Sequence, residues 1–110
     1  MKFHLLIVDD EVVIRKGLSD YINWDAYDCQ VTATASNGKE AIEIIENNNI
    51  DIVLTDIKMP VLDGIGLAEY VYENHPDIAV IILSGYSEFE YAQSAIKYQV
   101  NEYILKPAAK

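Results

Sequence analysis

The 110-residue sequence predicts an α/β fold: a doubly wound, five-stranded parallel sheet. Three observations predict it. Short apolar runs recur at residues 3–8, 50–54, 79–83 and 103–105, and three of them are aliphatic nearly throughout, as in strands covered on both faces. A further stretch, 29–34, alternates Cys29, Val31 and Ala33 with Gln30, Thr32 and Thr34, the pattern of an edge strand. Segments of helical period separate these runs, and a strand–helix alternation implies parallel pairing through right-handed crossovers.

Each helix has its own signal. Ile14, Leu18, Tyr21 and Ile22 recur at the spacing of one buried helix face. Ala41, Ile42 and Ile45 do so after Asn37-Gly38-Lys39-Glu40, where Asn37 can cap the helix and Glu40 can reciprocate. Asp63-Gly64 opens a third helix that Asn74-His75-Pro76 closes, and Ser87-Glu88-Phe89-Glu90 has the spacing of a capping box for a fourth, carrying Phe89, Ala92 and Ile96. The last strand is followed only by Lys106-Pro107-Ala108-Ala109-Lys110. A sheet wound on both faces wants a fifth helix there, so the expectation is one domain over residues 1–110 that ends before that helix. Exposed apolar sheet surface is then expected to give low stability or association.

Composition narrows the function. Eight Lys and Arg against 18 Asp and Glu leave a formal net charge of −10, the opposite of what a phosphate backbone or an anionic membrane recruits. DNA contact by this domain itself is therefore not expected. The single cysteine, Cys29, allows no internal disulfide and fits a reducing compartment as a small buried hydrophobe. No run approaches a membrane span, and carboxylates interrupt the N-terminal apolar stretch at once, so the expectation is a cytoplasmic domain without membrane contact. His4 and His75 have no ligand-spaced partners for a zinc site. Trp24 and Tyr27 are expected to cover the core before the second strand, and Glu40, Glu43 and Glu46 to form a solvated helix face.

Polar residues stand at the strand ends. The first run ends in Asp9-Asp10, the third strand in Thr55-Asp56, the fourth in Ser84 and the fifth in Lys106. A parallel sheet gathers these ends on one edge, where ligands of such folds bind. Taken singly, Asp10 reads as a helix cap, Asp56 as a turn residue, and Ser84 and Lys106 as solvated strand ends. Together they form a pocket of three carboxylates, a hydroxyl and an ammonium. Two carboxylates about 4 Å apart repel by about 4 kcal/mol at an effective dielectric of 20, so the group must hold a proton or recruit a cation. Its all-oxygen character suits Mg2+. A hard cation, a lysine and a hydroxyl suit a phosphoryl group, and Asp56 is a candidate nucleophile through an acyl phosphate.

With these residues the chain resembles the receiver domain of two-component response regulators. The resemblance covers essentially the whole chain and rests on Asp9-Asp10, Asp56 with Met59-Pro60 and Asp63-Gly64, Ser84-Gly85, Tyr103 and Lys106-Pro107, and it implies the flavodoxin-like strand order 2-1-3-4-5. It implies that Asp56 accepts a phosphoryl group from a phosphohistidine of a sensor histidine kinase. It also implies Mg2+ held by the carboxylates of Asp10 and Asp56 and the backbone carbonyl of Lys58, with Asp9 acting mainly through a coordinated water. Ser84 and Lys106 would bind phosphoryl oxygens, and Lys106–Pro107 would be a cis bond. Ser84 moving inward would let Tyr103 rotate from exposed to buried, shifting the helix 4/strand 5 surface toward a homodimer. The segment from Ser84 to Ala92, with residues 103–107, further resembles receivers that precede an arabinose-regulator-type helix-turn-helix module; DNA would be bound only through such a C-terminal domain. Gln99 and Asp28 stand where glycine is common in that subgroup.

Two other classes fit less well. A Mg2+-dependent phosphohydrolase with Asp56 as nucleophile commonly has a carboxylate two residues later, where this chain has Lys58. A nucleotide or flavin binder wants a glycine-rich cradle after the first strand, where Asp9-Asp10-Glu11 would repel phosphate. A receiver regulated without phosphate is a third alternative, disfavoured by the intact set of site residues.

Overall fold

The computed structural model describes residues 2–84 and 102–105. Strands β1 (Phe3–Val8), β2 (Cys29–Ala35), β3 (Ile52–Asp56), β4 (Ala79–Ser84) and β5 (Glu102–Leu105) form one parallel sheet ordered β2-β1-β3-β4-β5. Helices α1 (Val12–Asp20), α2 (Gly38–Asn47) and α3 (Gly64–Asn74) connect the first four strands, with a short 3₁₀ turn at Trp24–Tyr27 before β2. The predicted fold class and strand order are those observed. The expected fourth helix, Gln99 and Lys106 lie outside the described residues.

The period of two along β1 divides the core. Leu6 and Val8 face α2 and α3, joining Ala41, Ile45, Val53, Leu67, Val71, Val80 and Ile82 in the larger cluster. Leu5 and Ile7 face the other way, joining Leu54 and Leu83 against Leu18 and Trp24 on the α1 side. Helices therefore lie on both faces. Among the described residues, cover on the α1 side is thinner: no residue of α1 is fully buried, and Ile52 and Ile81 are only partly so.

Local chemistry sets the element ends. The Asn37 side chain accepts the Glu40 N–H at 2.8 Å, and Asp63 accepts the Gly66 N–H at 2.8 Å, each satisfying a donor that a helix start leaves orphaned. Glu40 reciprocates as expected in kind but one residue earlier, taking the Ser36 N–H at 2.8 Å. Asn47 and Asn48 donate to the carbonyls of Glu43 and Ile44, which closes α2.

Several expectations are corrected. Tyr21 does not continue the buried face of α1: the helix ends at Asp20, and Tyr21 is 90% exposed as its C-cap. Tyr27 is exposed rather than covering the core; Trp24 alone does that, its indole N–H fixed to the Leu18 carbonyl at 2.8 Å. β3 starts two residues later than its apolar run and takes in Thr55 and Asp56. The shift arises because the Asp51 carboxylate accepts the His4 N–H at 2.7 Å, so regular pairing starts at Leu5↔Ile52. Asp28 has φ 58° and ψ 34°, the left-handed conformation that glycine would adopt freely and Asp tolerates.

Candidate functional site

Register places the site. Val8 pairs with Ala35 on one side and Thr55 on the other, so Asp9 leaves the sheet beside Asp56, the last residue of β3. Asp56 pairs with Leu83, which puts Ser84 on the neighbouring strand one residue further toward the same edge; Ser84 in turn pairs with Leu105, the residue before Lys106. Asp9, Asp56 and Ser84 thus stand on one sheet edge, as expected. Tyr103 lies on the outermost strand opposite Ile82.

Asp9 is buried, 1% exposed. Its N–H donates to the Ala35 carbonyl at 3.1 Å, and one carboxylate oxygen accepts the Glu11 N–H at 2.9 Å. That second bond turns the chain so that the Glu11 carboxylate comes back toward the pocket. The Arg15 guanidinium donates to the Asp9 carbonyl at 2.7 Å, tying the first turn of α1 to the end of β1.

Asp56 is 8% exposed, and its Oδ1 accepts the Ile57 N–H at 2.9 Å. The Thr55 hydroxyl donates to its carbonyl at 2.8 Å. Behind it the backbone is packed to the limit. A Cβ on Gly64 would stand 2.1 Å from the Asp56 carbonyl oxygen, so only glycine fits where the Gly64 N–H donates to the Ile57 carbonyl at 2.7 Å.

Carboxylate oxygens of Asp9, Glu11 and Asp56 lie within 4.8 Å of one another. At that separation each pair of charges repels by about 3 kcal/mol at an effective dielectric of 20, in a place where two of the three groups are shut off from water. Such a set fits a hard divalent cation, and its hard oxygen donors are those Mg2+ takes. Asp10 is exposed and lies outside this group, and Glu11 takes the third place. Asp10 does not cap α1 either: Glu11 occupies the cap position.

Glu11 is not marked by its spacing, because only the Asp9–Glu11 N–H bond brings its carboxylate to the pocket. Leu62 is likewise unmarked. In the β3–α3 loop, the Leu62 N–H bonds to the Pro60 carbonyl at 2.8 Å across Val61 at φ 73°, a tight γ-turn with a β-branched residue in left-handed backbone. The Leu62 carbonyl accepts the Gly38 N–H at 2.9 Å. Its side chain lies where a Cβ on Gly38 would approach within 2.9 Å and one on Gly66 within 2.5 Å. The glycines at 38 and 66 were the available signal.

Comparison with known proteins agrees with this geometry. Residues 5–110 match the family model described as response regulator receiver domain. The transcriptional regulatory protein YesN of Bacillus subtilis is 42% identical over 105 residues, which cover 96% of this chain and 28% of YesN. HptR of Staphylococcus aureus is 41% identical over 96% of this chain and 41% of its own. The chain therefore spans less than half the length of these curated relatives. Among solved structures, the receiver domain of AraT, a response regulator from Geobacillus stearothermophilus, superposes with a TM-score of 0.90 at 41% identity, covering 97% of this chain and 83% of that one. CheY of Borrelia burgdorferi, in a complex with CheX, BeF3 and Mg2+, gives 0.84 at 32% identity over 96% and 78%. The family match, the sheet order and the acidic edge agree, and the chain belongs to the response regulator receiver domains of two-component systems.

Proposed function

We propose that this domain takes a phosphoryl group onto Asp56 from a phosphohistidine of a sensor histidine kinase, with Mg2+ in the acidic pocket, and so regulates a transcriptional output. The observation that carries the proposal is the convergence of Asp9, Glu11 and Asp56 carboxylates at the sheet edge. The Mg2+-bound CheY relative adds support.

The cation would be held among the carboxylates of Asp9, Glu11 and Asp56 and by the carbonyl of Lys58, with Asp9 acting through a coordinated water; Asp10, exposed and outside that group, would take part only by turning inward. It supplies neutralisation of the charge that builds up during transfer. Asp9 accepts the Glu11 N–H and Asp56 Oδ1 accepts the Ile57 N–H, bonds that orient both carboxylates in the pocket where Asp56 would attack. Ser84 and Lys106 bind the phosphoryl oxygens. The domain turns over no external substrate as its purpose; it catalyses only its own phosphorylation and dephosphorylation. Phosphate at Asp56 draws Ser84 inward, Tyr103 follows, and the helix 4/strand 5 surface becomes a homodimer interface. DNA contact belongs to a C-terminal module of the kind the regulatory relatives imply, and the place of action is the cytoplasm.

Intact-mass spectrometry after incubation with acetyl phosphate and Mg2+ tests this reading. One phosphoryl increment is expected, absent without Mg2+ and absent in Asp56→Ala. Release of phosphate over many turnovers from an unrelated ester would favour the phosphohydrolase instead.

A further inference from the structure

The β3–α3 loop is gripped from two sides, and the grip centres on a residue without any polar chemistry. Leu62 fills a socket made by Gly38, the first residue of α2, and Gly66, in the first turn of α3. A Cβ on Gly38 would come within 2.6 Å of the Leu62 carbonyl oxygen and 2.9 Å of its Cβ and Cγ; one on Gly66 would come within 2.5 Å of Leu62 Cδ1. Real contacts do not reach such distances, so each glycine is the absence that Leu62 occupies. The Gly38 N–H to Leu62 carbonyl bond at 2.9 Å fixes the backbone of the same residue. At the other end of the loop, Ile57 is buried and its carbonyl is taken by the Gly64 N–H at 2.7 Å. Met59 is buried in the main core between these two anchors.

Lys58 lies inside this frame, between Ile57 and Met59. We propose that Leu62 is a positioning residue for the cation site: its seat between Gly38 and Gly66 sets where the Lys58 carbonyl points, and so couples the start of α2 to the metal. This rests on the reading of the acidic pocket as a Mg2+ site. Groups that orient metal ligands without touching the metal commonly change affinity by about 10- to 100-fold when removed.

The test is Mg2+ titration of the whole chain, followed through the amide resonances of Glu11 and Ile57. Those N–H groups bond the Asp9 and Asp56 carboxylates, so they report on the pocket itself. Leu62→Ala, which empties the socket, and Gly66→Ala, which crowds it, are each expected to weaken Mg2+ binding by about tenfold. Leu62→Met is expected to keep near-native affinity. The double variant Leu62→Ala/Gly66→Ala removes the clash with Leu62 Cδ1 together with the seated side chain, and is expected to bind Mg2+ no more weakly than Leu62→Ala alone. Thermal melts run beside each titration, and Gly66→Ala must be read with its own gain in helix propensity. Variants that lose thermal stability but keep native Mg2+ affinity would overturn the positioning role. A native chain whose Glu11 and Ile57 resonances ignore Mg2+ would instead overturn the metal reading on which it rests.

Discussion

At the scale of single residues, Val61 adopts backbone that its side chain resists. Val61 is 75% exposed, so its side chain gains little by burial, yet it is held at φ 73° by the Leu62–Pro60 bond. Strain of this kind costs about 1–3 kcal/mol, more than the roughly 0.5–1 kcal/mol of extra chain entropy that glycine loses. Val61→Gly is therefore expected to raise stability by about 1 kcal/mol in urea titration, with an unchanged slope. Gly64 is the opposite case. Its missing Cβ is what lets the Asp56 carbonyl pass at close range, and Gly64→Ala is expected to destabilise the chain and impair phosphorylation together. Asp9 and Asp56 were legible because polar residues at successive strand ends converge on one edge of a parallel sheet, although each alone reads as a cap or turn residue; Glu11, placed by a bond that spacing does not reveal, was not. Leu62 was not legible, because a leucine in a loop looks like any other until the two glycines around it are placed in space.

At the scale of elements, helix starts are where the sequence spoke most clearly. Asn37 and Asp63 each accept a backbone N–H at 2.8 Å, and both were readable from a polar residue preceding an apolar period. Replacing Asn37 by Ala is expected to cost about 1 kcal/mol in denaturant unfolding, the usual worth of such a cap. Because α2 begins at Gly38, the same change should also loosen Leu62, and a wider spread of conformers in the β3–α3 loop would show in relaxation dispersion. Where reading by period failed, it did so for physical reasons. Tyr21 matched the spacing of a helix that had already ended, and spacing says nothing about where a chain turns. β3 extended into Thr55 and Asp56 because backbone pairing with β1 and β4 does not stop where hydrophobicity does.

At the scale of the whole molecule, parallel order does the organising: it alone turns residues 47 positions apart in sequence, Asp9 and Asp56, into neighbours. Parallel direction was inferable from alternation, since a crossover helix after each strand leaves few other ways to build the sheet, whereas the order of the strands came with the family resemblance. Net charge acts at the same scale. A chain of net −10 repels itself, and its buried acids add to this, so thermal stability is expected to rise with NaCl as screening shortens the Debye length toward about 8 Å. Mg2+ should do more than its ionic strength accounts for. At a hundredfold excess over its dissociation constant it would add about 2.7 kcal/mol by binding only the folded state. Asp9→Asn should reduce that surplus, whereas the response to NaCl should persist.

On the proposed reading, the sheet edge directs phosphoryl transfer to one carboxylate among several close neighbours. Borohydride reduction of the phosphorylated chain, followed by peptide mapping, reads this out, since an acyl phosphate is converted to the corresponding alcohol. Homoserine is expected at position 56, with unmodified acids at Asp9, Asp10 and Glu11; a reduced residue at any of those three, with Asp56 intact, would overturn the assignment of Asp56.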